Sequence, residues 1–218
     1  MAFLLPRSLA LAALTSLPAT AFAADLFKVE VVVFSHENPN SVEQEYWPQL
    51  PPLDLSASLF PQPWDGYPLS SFEELPQNDL VLGGQAAALS RSGNYKLLYH
   101  RGWLQPVGGK SSARSIRIKV DFDDLQLDGN IRVYKNRFLH AQPTLELTAS
   151  PMLNQEQPDV SGSNVGDSGI KTLTPVGEPL DLTQRWRMEQ SRRMRSNETH
   201  YIDHPRFGVL LRIRPVDS

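Results

Sequence analysis

The sequence contains no cysteine. That absence excludes disulfides, thiolate-bound metal and a cysteine nucleophile, and it leaves stability to packing and hydrogen bonds even in an oxidising compartment. Long apolar runs are also missing: past residue 23 no segment approaches the ~18 apolar residues of a membrane span. Basic residues are scarce in the first part of the chain, where Lys28 alone stands against ten acids between positions 24 and 90. Neither GxSxG nor HExxH occurs, so the serine-hydrolase elbow and the zincin helix lack their residues. A Ser-His-Asp triad is defined by geometry and stays open, but no set of residues is singled out for one.

Two apparent motifs fail on spacing. In VGGKSS a phosphate-binding loop would need glycine five positions before Gly109, where Leu104 stands, and the run lies between two strand patterns with no helix to aim its amides. In VDFDDLQLDG a calcium loop opening at Asp121 and using Asp123 and Asp128 would need a carboxylate where Arg132 stands. The first reads as a turn and the second as a solvated acidic turn. Asn197-Glu198-Thr199 matches a glycosylation sequon, a pattern that carries little meaning by itself.

What is present begins with a leader. Arg7, the apolar stretch Leu9–Leu17 and the small-x-small triplet Ala21-Phe22-Ala23 predict a signal peptide over 1–23, cleaved near Ala23, and a periplasmic mature chain. No cysteine precedes Ala24, so no lipid anchor is expected. The remaining residues suffice for a single mature domain over 24–218 with a substantial core.

Without Arg7 the chain carries 20 bases against 24 acids, distributed unevenly. Positions 91–140 hold ten bases and four acids, and 182–218 hold eight arginines and four acids. A nucleic-acid binder would be basic overall. Separate acidic and basic segments suit local contacts with carboxylates or with a partner protein.

Residues 26–34, LFKVEVVVF, read as a strand with Phe27, Val29, Val31 and Val33 on one face and Lys28, Glu30, Val32 and Phe34 on the other. From 38 to 76 recurrent prolines break any regular pattern, yet Tyr46, Trp47, Phe60, Trp64, Tyr67 and Phe72 make this loop either a packed surface segment or a recognition surface. Residues 85–91 form a short helix ended by Gly93. Residues 95–107 and 115–122 read as a hairpin, Asp128-Gly129 as a turn, and 131–134 and 138–148 as further strands. Positions 150–180, rich in Ser, Gly, Pro, Asn and Asp, read as a disordered loop. Strands follow over 182–195 and 207–216, joined by a polar turn around 196–205. The fold class is α+β, a mainly antiparallel β-sheet with one or two short helices and long loops.

Two constellations near the carboxyl end compete for function. His200, Asp203 and His204 carry metal-ligand chemistry, but Pro205 disfavours a helix there, and on a strand the two histidines stand roughly 13 Å apart. No metal is therefore expected, and the three residues read as a turn. The second constellation is Arg185, Arg187, Arg192, Arg193 and Arg195. On a strand Arg185, Arg187 and Arg193 share a face, opposed by Trp186, Met188 and Gln190, and arginine forks pair bidentately with carboxylates. The bland alternative is a solvated outer face over a core of Trp186 and Met188.

FKVEVVVFSHENP followed by EYWP, then GNYKLLYHRGWLQPV, GNIRVYKNRFLHAQPTLEL and SRRMRSNETHYIDHPRFGVLLRIRPV resemble the successive blocks of the CsiV family of periplasmic peptidoglycan-binding proteins. The resemblance implies a non-enzymatic protein without cofactor that binds peptidoglycan and supports cell-wall synthesis. It also implies action with the outer-membrane lipoprotein that activates a class A penicillin-binding protein. The hypothesis of ligand contact places wall carboxylates on Arg185, Arg187, Arg192, Arg193 and Arg195, with Trp47 or Trp64 covering sugar or peptide faces. The alternatives are an envelope hydrolase or metal-dependent enzyme using His200, Asp203 and His204, and a structural envelope assembly partner that pairs through an exposed sheet edge.

Overall fold

The computed structural model describes residues 25–37, 51–66, 68–149 and 184–216. The predicted leader, Trp47 and the loop over 150–180 lie outside these residues. Ten strands and one α-helix follow in order: β1 (Asp25–His36), β2 (Ser58–Leu59), α1 (Gly83–Arg91), β3 (Tyr95–Val107), β4 (Ser115–Phe122), β5 (Leu125–Lys135), β6 (Leu139–Ala149), β7 (Gln184–Glu189), β8 (Arg192–Met194), β9 (Thr199–His204) and β10 (Phe207–Pro215). They build two sheets, β3-β1-β10-β9 and β2-β4-β5-β6-β7, with β8 also paired to β6. All pairings are antiparallel except the short β2–β4 contact. The α+β, mainly antiparallel class read from the sequence is the observed one.

The strands follow from alternation. In β6 every second residue from Leu139 to Leu147 is buried, and in β5 Leu127, Ile131 and Val133 match it across the ladder. These side chains and those of β7 meet Phe27, Val29, Val31 and Val33 of β1 and Val209, Leu211 and Ile213 of β10 in one core between the sheets. β1 is buried on both faces because α1 covers the far side, where Leu82 and Ala86 pack on Val32 and Phe34. That explains why the amino-terminal strand reads as nearly continuous apolar residues.

The helix is capped from outside its own sequence. Leu82 at the N-cap offers no side-chain acceptor, and the fully buried Glu30 of β1 takes the Val81 and Leu82 N–H groups at 2.8 Å each. His100 Nε2 lies 2.9 Å from the same carboxylate. A negative group at a helix amino terminus is stabilised by the helix dipole and by these orphan donors.

Several expectations are corrected. β3 and β4 do not form a hairpin: they lie in different sheets, so 108–114 is a crossover between layers. Asp128-Gly129 is not a turn but the middle of β5; the reversal is at Asp123-Asp124, with Asp123 at φ 50° and Phe122 paired to Leu125. Gly129 is there for space, since a Cβ would stand 2.2 Å from the Thr144 carbonyl oxygen. The helix ends at Ser92 in an extended conformation, without a left-handed Gly93. The segment 182–195 is not one strand: β7 and β8 are separated at Gln190-Ser191. His200, Asp203 and His204 do not form a turn but belong to β9, and the chain reverses at Pro205-Arg206.

The prolines at 51, 52, 61 and 63 keep the following segment extended and out of the ladders, apart from the two residues of β2. It is tied down all the same. Pro51 O accepts from Arg187 Nη2 at 2.5 Å, Ser58 Oγ from Asn130 Nδ2 at 3.0 Å, and Phe72 N–H and Leu75 N–H donate to β3 carbonyls. Asp79 closes the segment against Lys28 at 2.7 Å and Arg214 at 2.5 Å.

Candidate functional site

The outer face of the larger sheet is polar by alternation. Lys119, Asp128, Glu146 and Arg187 stand directly opposite one another across β4, β5, β6 and β7. Arg117 grips Asp128 bidentately at 2.9 and 2.7 Å, and Arg187 grips Glu146 at 3.1 and 2.6 Å. These pairs fix the rows of the face.

Where the 51–80 segment runs beside this face and then along β3 of the smaller sheet, it leaves a succession of three clefts. The first, about 540 Å³, lies between Pro52–Ser56 and the side chains of Arg117, Gln126, Glu146, Thr148 and Arg185. The second, about 410 Å³, lies between Phe60, Pro61 and Pro63 and the cations Arg101, Arg117 and Lys119. The third, about 460 Å³, lies between Gln77 and Leu80 and Tyr99, His100 and Arg101. The first two share Arg117, and the last two share Glu74, Tyr99 and Arg101, so the clefts are contiguous.

In the second cleft one wall is proline and aromatic, with Phe60 over Arg117 at 5.6 Å, and the other is cationic; the first cleft adds the carboxylates of Asp54, Asp128 and Glu146, and the third that of Glu74. Arg101 is held by Glu74 at 2.8 Å, whereas Lys119 and Arg185 are exposed with no partner among the described residues. The Tyr99 hydroxyl at the junction has its pKa raised by burial and by the Glu74 carboxylate, so it remains a neutral hydrogen-bonding group. Unpaired cations beside an apolar, ring-bearing wall can take carboxylates along a chain whose sugar or peptide faces lie on the rings.

The sequence-predicted residues divide. Arg185 stands in the first cleft. Arg187 shares its face but is committed to Glu146 and Pro51 O. Arg192 and Arg193 lie beyond the break in the strand, away from the clefts, with Arg193 over Phe138 and Arg192 opposite Ala141. Arg195 leaves the sheet and pairs with Glu198 at 3.6 Å. Trp64, 43% exposed, follows Pro63 of the second cleft's wall.

His200 and His204 do not meet Asp203. Ile202 and His204 are buried on the inner side of β9, while Tyr201 and Asp203 face out and hydrogen-bond to each other. His200 Nε2 accepts the Arg195 N–H at 3.1 Å and His204 Nδ1 the Arg206 N–H at 3.2 Å. Among the described residues no three His, Asp or Glu side chains gather as a metal site.

Sequence reasoning named Phe60 among the aromatics of a packed or recognition segment but missed Arg101, Arg117 and Lys119. The alternation of SIRIKV already placed Arg117 and Lys119 opposite the core side chains Ile116 and Ile118. What it lacked was the strand order, which alone says that residues 52–63 lie over that face.

No curated protein and no solved structure shows significant similarity to the chain. The family described as "Peptidoglycan-binding protein, CsiV" matches residues 5–216, nearly the whole length. Its match extends through both sheets and through the segment that walls the clefts. The chain therefore belongs to the CsiV family of peptidoglycan-binding proteins.

Proposed function

We propose that this chain is an exported, non-enzymatic periplasmic protein that holds peptidoglycan along the three contiguous clefts. Through that hold it supports wall synthesis by assisting the lipoprotein activator of a class A penicillin-binding protein. The observation that carries the binding reading is the central cleft of the run, where a tethered proline and aromatic wall faces Arg101, Arg117 and Lys119, with Arg185 in the cleft that adjoins it. A single small-molecule pocket is enclosed. An open run of clefts suits a linear polymer whose stem peptides present carboxylates at intervals.

Of the Lys and Arg side chains that line the clefts, Lys119 and Arg185 are the two whose charge is not matched by a neighbour among the described residues. In co-sedimentation with purified sacculi, Lys119→Glu with Arg185→Glu is expected to weaken binding at least tenfold, equivalent to about 1.4 kcal/mol. Both positions are exposed, so the fold should survive, checked by an unchanged melting temperature. Sedimentation equal to that of the unaltered protein would remove the clefts as the site. Failure of the unaltered protein to sediment would remove the function itself.

A further inference from the structure

The far end of the same outer face carries a second cationic surface that the clefts do not use. Tyr134, His140 and Arg193 stand opposite one another across β5, β6 and β8. The His140 ring stacks on Tyr134 at 5.1 Å and 8°, and Lys110 Nζ lies over Tyr134 at 5.6 Å. In the turn between β5 and β6, the half-exposed Phe138 ring receives the Arg193 guanidinium at 3.4 Å and that of Arg137 at 5.3 Å.

None of Lys110, Arg137 and Arg193 has a carboxylate partner among the described residues. Elsewhere Lys28, Arg101, Arg117, Lys135 and Arg187 are all paired. Like charges gathered without counter-charge repel, so the ring faces that carry them act as the local compensation. Because those faces are already occupied by the protein's own cations, they are not platforms for sugars. The guanidinium edges remain open for bidentate carboxylates. With the Lys110 ammonium they span the 108–114 crossover, the β5–β6 turn and β8, and so match a broad acidic surface better than a single anion. Arginine and aromatic residues together are also the composition of protein-interface hot spots.

We propose that Lys110, Arg137 and Arg193, held on Tyr134 and Phe138 beside His140, form a docking surface for an acidic face of a partner protein. The surface is separate from the clefts, so the chain can hold wall polymer and partner at once.

Labelled poly-L-glutamate titrated onto the full chain at low salt is the probe. Arg137→Glu with Arg193→Glu should weaken its binding at least tenfold. Lys119→Glu with Arg185→Glu, which alters the net charge equally, should leave it within threefold. The first variant should sediment with sacculi as the unaltered protein does. Equal weakening by both pairs would show general repulsion and overturn the proposal. So would phosphatidylglycerol vesicles that bind through Arg137 and Arg193 when poly-L-glutamate does not, since the surface would then be read by lipid phosphates. Loss of sacculus binding by the first variant would assign these arginines to the wall instead.

Discussion

His204 shows how far residue chemistry can depart from residue type. It looks like a ligand or a general base in the sequence, yet it is buried on the inner side of β9, packed against Phe207 at 4.9 Å, with Nδ1 accepting the Arg206 N–H. Burial lowers its pKa below the ordinary 6.5, with nearby His36 and Arg206 acting in the same direction and Asp203 against them. The folded protein therefore binds a proton at this site less readily than the unfolded chain, and stability is full above pH 6.5 and falls as pH drops toward the folded value. His204→Asn keeps an acceptor near Arg206 and removes the titration. Melting temperatures measured between pH 8 and 5 should fall more steeply for the unaltered protein than for this variant, and parallel curves would contradict the assignment. Glu30 is the converse case. Its alternation with Val29 and Val31 was legible, but its burial was not, because the donors that satisfy it come from residues 81 and 82 and from His100, far along the chain.

The elements were mostly legible because alternation writes itself into sequence; their partners were not. β1, β3, β4, β6 and β10 stand close to where the period-2 patterns put them. The errors cluster where local turn chemistry competed with sheet geometry: Asp128-Gly129 carries a turn signature, but its glycine serves a close strand approach. The break between β7 and β8 has a cause that a local reading misses, since it lies in another strand. Both pair with β6 in one uninterrupted register, Thr144 with Glu189 and Ala141 with Arg192, and the gap falls opposite Pro143. The Gln190 N–H still donates to the Pro143 carbonyl at 3.2 Å. In an antiparallel ladder the N–H and C=O of one residue point to the same neighbour, so proline removes the return bond. Pro143→Val should restore it and join β7 to β8. Hydrogen exchange would then show a protected amide at 143, whereas a freely exchanging one would mean that the missing donor is not the cause.

At the scale of the molecule, the two sheets share one core, and the clefts exist only because residues 51–80 are drawn across the outer face of the larger sheet and on along β3 of the smaller one. No window of sequence holds both walls, which is why aromatics and cations were each visible while their meeting was not. A shared core also makes the sheets depend on each other. Ile131 of the larger sheet and Leu211 of the smaller are both fully buried in it. Either residue replaced by alanine should cost about 2–5 kcal/mol, and in urea the sheets should still unfold in one transition; two separate transitions would show that the layers are independent. The same architecture sets an order of events in time. β1, the amino-terminal strand, lies between β3 and β10, with Phe27 opposite Pro215 at the other end of the described chain. Closing a loop of that length is among the last steps that entropy allows. A nascent chain leaving the ribosome can thus assemble β4–β6 and pair β1 with β3 early, but the other edge of β1 must wait for β10, and the smaller sheet stays open until synthesis is nearly done. On the export proposed above, this delay acts as a timer built into strand order, keeping the chain passable until it has crossed.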